Sequence, residues 1–132
     1  MNKDPVILVL EDEQPLLEVI KKKLELRGFS VVTARSVEQA LEYLGTMPEV
    51  GAIWLDHYLL GKEDGLDFIS RLKNSKQAKH IPIFVVSNTA SPEKMQSYLH
   101  LGVAKYYTKA DYRLDQIIAD IKVALADGKS LE

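Results

Sequence analysis

VGAIWLDHYLLGKEDG, residues Val50 to Gly65, is the stretch on which the fold reading turns. An apolar run, Ile53-Trp54-Leu55, stops at a carboxylate, Asp56, and a loop carrying Gly61 and Gly65 leads into the next amphipathic segment. Removing a carboxylate from water is costly unless it is paired. Asp56 at the end of a buried strand is therefore an unusual place for a purely structural residue. Its ordinary reading is a loop or helix-entry acid facing solvent. What the other strands deliver beside it decides between the two.

Working outward from that stretch, the chain alternates between strand and helix patterns. Val6 to Leu10 is an unbroken, β-branched apolar run, the pattern of a strand buried on both faces. Pro15 suits a first helical turn, and Leu16, Leu17, Ile20 and Leu24 recur at helical spacing until Gly28. Ser30 to Ala34 reads as a second strand. Ser36 and Gln39 form an S-x-x-Q capping signal for a helix with an apolar stripe of Val37, Ala40, Leu41 and Leu44, and Gly45 to Glu49 reads as a turn. Gly51 to Leu55 is the third strand. Leu66, Phe68, Ile69 and Leu72 mark a third helix, Ile81 to Val86 a fourth strand, and Ser91-Pro92-Glu93 the start of a fourth helix. That helix is expected to turn Met95, Tyr98 and Leu99 inward and to end at Gly102. Val103 to Tyr107 is the fifth strand. Leu114, Ile117, Ile118, Ile121 and Leu125 set a closing helix, with Gly128 past its end.

Such alternation predicts a parallel sheet with helices on both faces, an α/β fold. Right-handed crossovers leave the flavodoxin-like strand order 2-1-3-4-5 as the commonest arrangement for five strands. The 132 residues are expected to form a single domain, with a core over residues 5–126 and a flexible tail over 127–132. Hydrophobic residues make up 46% and charged residues 27%, the profile of an ordinary globular chain. Net charge is 17 − 19 = −2, with no basic stripe, so nucleic-acid binding by this chain alone is not expected. Without cysteine there are neither disulfides nor thiolate metal sites. No signal peptide is evident and no apolar run approaches the roughly 18–20 residues of a membrane span, so the expected location is cytoplasmic, without a membrane anchor.

In a parallel sheet every strand-to-helix loop leaves at one edge. Strand 1 delivers Glu11, Asp12 and Glu13 there; strand 3 delivers Asp56; strand 4 delivers Ser87, Asn88 and Thr89; strand 5 delivers Lys109. Strands 1 and 3 flank the topological switch point and lie about 4.8 Å apart. Asp12 and Asp56 would then repel by roughly 4 kcal/mol at ~4 Å and an intermediate dielectric. A proton or a cation must offset this. An all-oxygen cluster suits a hard divalent ion, which points to Mg²⁺. Taken singly, each residue has a plain structural explanation: capping acids, a loop hydroxyl, a solvated lysine. Together, at the ends of the correct strands, they make the equipment for phosphoryl transfer to a carboxylate.

These residues resemble the pattern of response-regulator receiver domains over residues 5 to 126. The resemblance is carried by Glu11-Asp12 after an apolar strand, Leu55-Asp56 with Asp64-Gly65 downstream, Val86-Ser87, and Tyr106 three residues before Lys109. It implies that Asp56 accepts a phosphoryl group from a phosphohistidine on a histidine kinase or phosphotransfer protein. It also implies a Mg²⁺ site of Asp12, Asp56 and the backbone carbonyl of Tyr58, with Glu11 acting through water. Lys109 and Ser87 would contact the phosphoryl oxygens, and Tyr106 would rotate inward after Ser87. The readout surface would be the fourth helix, fifth strand and fifth helix, bearing Tyr106, Lys94 and Tyr98, for a downstream protein. The domain would be no enzyme in the turnover sense, but would support its own Mg²⁺-dependent phosphorylation and dephosphorylation.

The sequence also departs from that pattern. Glu11 stands where the family more often has Asp. The loop after Asp56 lacks the usual proline and is one residue longer before Gly65. Ala110 follows Lys109 where the family usually has a cis proline, and a cis bond before a non-proline residue costs about 3 kcal/mol. Asn88 and Tyr58 are bulky where the family is often small. The rival reading is a pseudo-receiver, a protein-interaction module that is never phosphorylated. An aspartate-nucleophile phosphatase would carry a second Asp where Tyr58 stands. A P-loop is excluded because Gly128-Lys129-Ser130 has Val123 in the place of its first glycine. His57, His80 and His100 have no metal-binding spacing.

Overall fold

The computed structural model describes residues 5–76, 78–88 and 91–127. Five parallel strands, β1 (Val6–Leu10), β2 (Ser30–Ala34), β3 (Val50–Leu55), β4 (Ile83–Ser87) and β5 (Lys105–Thr108), alternate with five helices. These are α1 (Gln14–Leu26), α2 (Val37–Thr46), α3 (Gly65–Leu72), α4 (Pro92–His100) and α5 (Leu114–Asp127). The sheet order is β2-β1-β3-β4-β5, the flavodoxin-like order expected. Register is set by apolar pairs such as Leu10 opposite Leu55 and Leu55 opposite Val85. Because side chains alternate along a strand, each strand feeds two cores. Ile7, Val9, Trp54 and Phe84 pack with Ile20 and Leu24 of α1 and Ile117, Ile118 and Ile121 of α5. Leu8, Leu10, Ile53 and Val85 pack with α2, α3 and Tyr98 of α4 on the opposite face.

Local chemistry explains the ends of these elements. Gly28 (φ 95°) and Gly102 (φ 88°) take left-handed backbone after α1 and α4. At each, the next residue reaches back to close the helix, Phe29 N–H to the Leu24 carbonyl and Val103 N–H to the Tyr98 carbonyl. That cap holds Val103 outside the sheet, so β5 begins at Lys105 rather than at Val103. Pro82 likewise precedes β4: it has no N–H to give, and its carbonyl accepts from Ile53 N–H at 3.0 Å. Gly45 lies inside α2, which runs on to Thr46 instead of turning at Gly45. Ser36 accepts from Gln39 N–H as expected, but the Gln39 side chain returns to Arg35 N–H rather than to Ser36. A reciprocal capping box does form at α3, between Asp64 and Asp67. Leu99 is 45% exposed, contrary to the inward expectation, and only Tyr98 of α4 is buried. The α5 helix runs through Asp127; Gly128, the rest of the expected tail and Thr89 lie outside the described residues.

Candidate functional site: an acidic crevice at the strand ends

The C-terminal ends of β1, β3, β4 and β5 converge as their register requires. Asp56 N–H donates to the Leu10 carbonyl at 3.0 Å, and Lys109 N–H donates to the Ser87 carbonyl at 2.8 Å. Sheet hydrogen bonding thus extends into the residues of the site and fixes them relative to one another. Carboxylate oxygens of Glu11, Asp12 and Asp56 all lie within 4.8 Å of one another. Glu11 is fully buried and Asp56 is 3% exposed, while Asp12 is half-buried.

Lys109 Nζ stands 3.0 Å from Glu11 Oε1 and 3.7 Å from Asp56 Oδ2. One ammonium facing three clustered carboxylates leaves the crevice short of positive charge. The acids register that deficit. Burial, followed by the charge of Glu11, pushes the Asp56 carboxyl up to about 7. Burial also raises Glu11, against the opposing pull of Lys109. A small, hard dication would relieve both effects, and the all-oxygen donor set matches its preferences. The residues fit the group. The other Glu11 oxygen accepts from Glu13 N–H at 3.2 Å, so Glu11 is largely committed to Lys109 and its own loop.

The Lys109–Ala110 peptide is trans, as are the other described peptide bonds, and Lys109 nevertheless reaches the acids. Ser87 is fully buried and hydrogen-bonds the side chain of Tyr106, which is half-buried with its ring 5.7 Å from that of Tyr98. Tyr58 is 50% exposed; Lys94 of α4 donates to its hydroxyl at 3.1 Å and stands 5.1 Å over its ring. Tyr98 does not belong to an exposed readout surface. Its ring is fully buried, and its hydroxyl lies in a hydrogen bond 2.6 Å from His57 Nδ1.

From the sequence, His57 was weighed only as a metal ligand and rejected for its spacing, and Arg35 was passed over. His57 is buried, its backbone N–H donates to Asp56 Oδ1 at 2.9 Å, and its ring ties the Asp56 loop to α4. Burial lowers its pKa from the usual value, so the ring is neutral near pH 7 and its 3.7 Å approach to Asp64 is not a charged pair. Gly65 completes this contact by close approach: a Cβ there would collide with the Tyr98 hydroxyl and crowd the Asp56 carbonyl at 3.1 Å. The available signals were a histidine directly after a buried strand-end acid, and an arginine directly after β2 at the same edge.

The family profile described as "Response regulator receiver domain" matches residues 7–128. The chain is 32% identical over 119 residues to the phosphate regulon transcriptional regulatory protein PhoB of Escherichia coli, covering 90% of this chain and 51% of that protein. It is 30% identical over 105 residues to the two-component response regulator ORR6 of Oryza sativa, covering 78% of this chain and 61% of that protein. The chain thus spans about half the length of the PhoB relatives it matches. A response regulator receiver protein from Pseudomonas putida superposes with a TM-score of 0.85 at 27% identity, over 93% of this chain and 99% of that one. The phosphorylated cyanobacterial phytochrome response regulator RcpA superposes with a TM-score of 0.77 at 25% identity, over 98% and 96%.

Proposed function

Because the chain belongs to the response-regulator receiver-domain family, we propose that Asp56 is its phospho-acceptor, charged from a histidine kinase or a histidine phosphotransfer protein. The observation that carries this reading is the cluster of Glu11, Asp12 and Asp56 with Lys109 against it. In the transfer, an Asp56 carboxylate oxygen attacks the phosphorus of a phosphohistidine. The P–O bond forms as the P–N bond breaks, and the imidazole departs with the electron pair. His57 N–H holds one Asp56 oxygen in place, while Lys109, released from part of its pairing with Glu11, follows the charge onto the phosphoryl oxygens. Mg²⁺, held by Asp12, Asp56 and the Tyr58 carbonyl with Glu11 through water, would neutralise charge developing on the transferred group. The chain accepts and loses the group rather than turning over a substrate.

Phosphorylation adds about two negative charges and several strong acceptors to a crevice already short of cations. It favours arrangements that bring Ser87 and Lys109 onto the phosphoryl group. Tyr106, hydrogen-bonded to Ser87, carries the change to the α4-β5-α5 face, where a downstream protein reads it. No described helix is long and apolar enough to cross a membrane, and in this reading the chain acts in the cytoplasm.

The test is intact-mass measurement after treatment with a small-molecule phosphodonor and Mg²⁺. Wild type gains one phosphoryl mass and Asp56→Asn gains none. An equal gain in both moves the acceptor elsewhere, and no gain in either supports the pseudo-receiver. Tyr58 and Asn88 are proposed to crowd the water that hydrolyses the aspartyl phosphate. Tyr58→Asn then shortens the phosphoryl lifetime several-fold; an unchanged lifetime would remove Tyr58 from that role.

A further inference from the structure

The connection after β2 reaches the crevice through Arg35, and the hydrogen bonds of this half-buried residue join three loops. Its N–H donates to Gln39 Oε1 at 2.9 Å, which anchors it to the start of α2. Its carbonyl accepts from Leu60 N–H at 2.8 Å, beside a parallel bridge between Ser36 and Leu60. Its guanidinium grips the Asp12 carbonyl oxygen with two donors, Nε at 3.1 Å and Nη2 at 2.7 Å. The loop that carries Asp56 onward, longer than usual and without its proline, is thereby fastened to the loop that carries Asp12.

We infer that Arg35 is a positioning residue for cation binding in the crevice. It acts through the Asp12 backbone and never touches the ion. The inference rests on the reading that Glu11, Asp12 and Asp56 take Mg²⁺. Asp12 is the least buried of the three acids; all three lie just past strand ends, and Glu11 and Asp56 N–H are held by bonds to the Ala34 and Leu10 carbonyls. A planar fork on the Asp12 carbonyl restricts the peptide from which its carboxylate projects, as a single flexible donor would not. Partners of this kind orient metal ligands and govern affinity.

Charge and positioning make opposite predictions. A guanidinium beside an acidic cluster repels a dication, so charge alone says that removing Arg35 tightens Mg²⁺ binding. Positioning says that removal weakens it. The experiment is calorimetric titration of the intact, unphosphorylated chain with Mg²⁺, with the melting temperature of each variant measured without metal. Arg35→Ala should bind Mg²⁺ about tenfold more weakly than wild type. Arg35→Lys, which keeps the charge and one donor, should fall between the two and serves as the test if the alanine variant does not fold. Unchanged or tighter binding in Arg35→Ala or, in that event, Arg35→Lys overturns the inference, including when the melting temperature falls, because the residue would then be only structural. Absence of Mg²⁺ binding in wild type would instead overturn the metal-site reading beneath it.

Discussion

Helices α4 and α5 flank the same edge strand, β5, yet they are held by different means. α5 buries Ile117, Ile118 and Ile121 completely against the apolar side of the sheet, and Tyr107 of β5 donates to its Asp120 at 2.7 Å. α4 has nine residues, of which Tyr98 alone is buried, and the hydroxyl of that tyrosine bonds His57 beside Asp56. A helix this short has little stability of its own and depends on its packing. Apolar burial holds α5 with an energy indifferent to the state of the crevice. α4 is held by one buried ring whose hydroxyl makes a polar contact one residue from Asp56, so its stability is tied to that site. Local stability need not be uniform across a fold, and helices with few apolar anchors open first. Under the proposed function, a change at Asp56 would reach α4 through this contact before it reached α5.

The most forceful way to break this comparison is to hollow out the α5 side. Ile118→Ala is expected to cost about 3 kcal/mol in urea unfolding, and equally at pH 5 and pH 8, since no titrating group is involved. A cost below 1 kcal/mol would show that α5 is not anchored as described.

The crevice should respond with the opposite sign and with a pH dependence. Asp56 has its carboxyl at about 7 when folded against 3.8 for the free side chain. Its burial is harmless below the lower value, increasingly costly between the two, and fully costly above 7. Asp56→Asn therefore stabilises the metal-free protein at pH 8 by about 2 kcal/mol, and the gain fades as the pH falls toward 4. This is half of the roughly 4 kcal/mol that the full separation of the two values would give, because water and side-chain relaxation screen the charge. A loss at pH 8, or a gain that ignores pH, would contradict the charge deficit.

The smallest effect sharpens the comparison most. Tyr98→Phe keeps the ring but leaves His57 Nδ1 without its partner, a cost of about 1 to 2 kcal/mol. Hydrogen exchange should quicken in α4 while the amides of α5 near Ile118 keep their protection. Uniform quickening would mean that the two helices respond as one unit.

The strand order and crevice edge were legible because periodicity is a local property. Val6 to Leu10 and Ile53 to Leu55 read as buried strands from residue type alone, and parallel connection rules did the rest. Boundaries were less legible where a cap competed with a strand, as at Val103, or where proline removed a donor, as at Pro82. The direction of α4 was misread at Leu99 because a short helix with a weak stripe leaves its orientation to tertiary contacts. His57 and Arg35 escaped for a related reason: their partners, Tyr98 and the Asp12 carbonyl, lie 41 and 23 residues away along the chain.

The sequence by itself determined the alternation of elements, the order of the sheet and which charged groups gather at its edge, because each follows from residue type and spacing. Only the tertiary structure decided how those charges are apportioned. Lys109 stands closer to Glu11 than to Asp56, Arg35 fastens a backbone oxygen rather than a carboxylate, and a buried histidine links the Asp56 loop to α4. Pairing energies depend on separations and burial of a few ångströms, and those are fixed only when distant segments pack together.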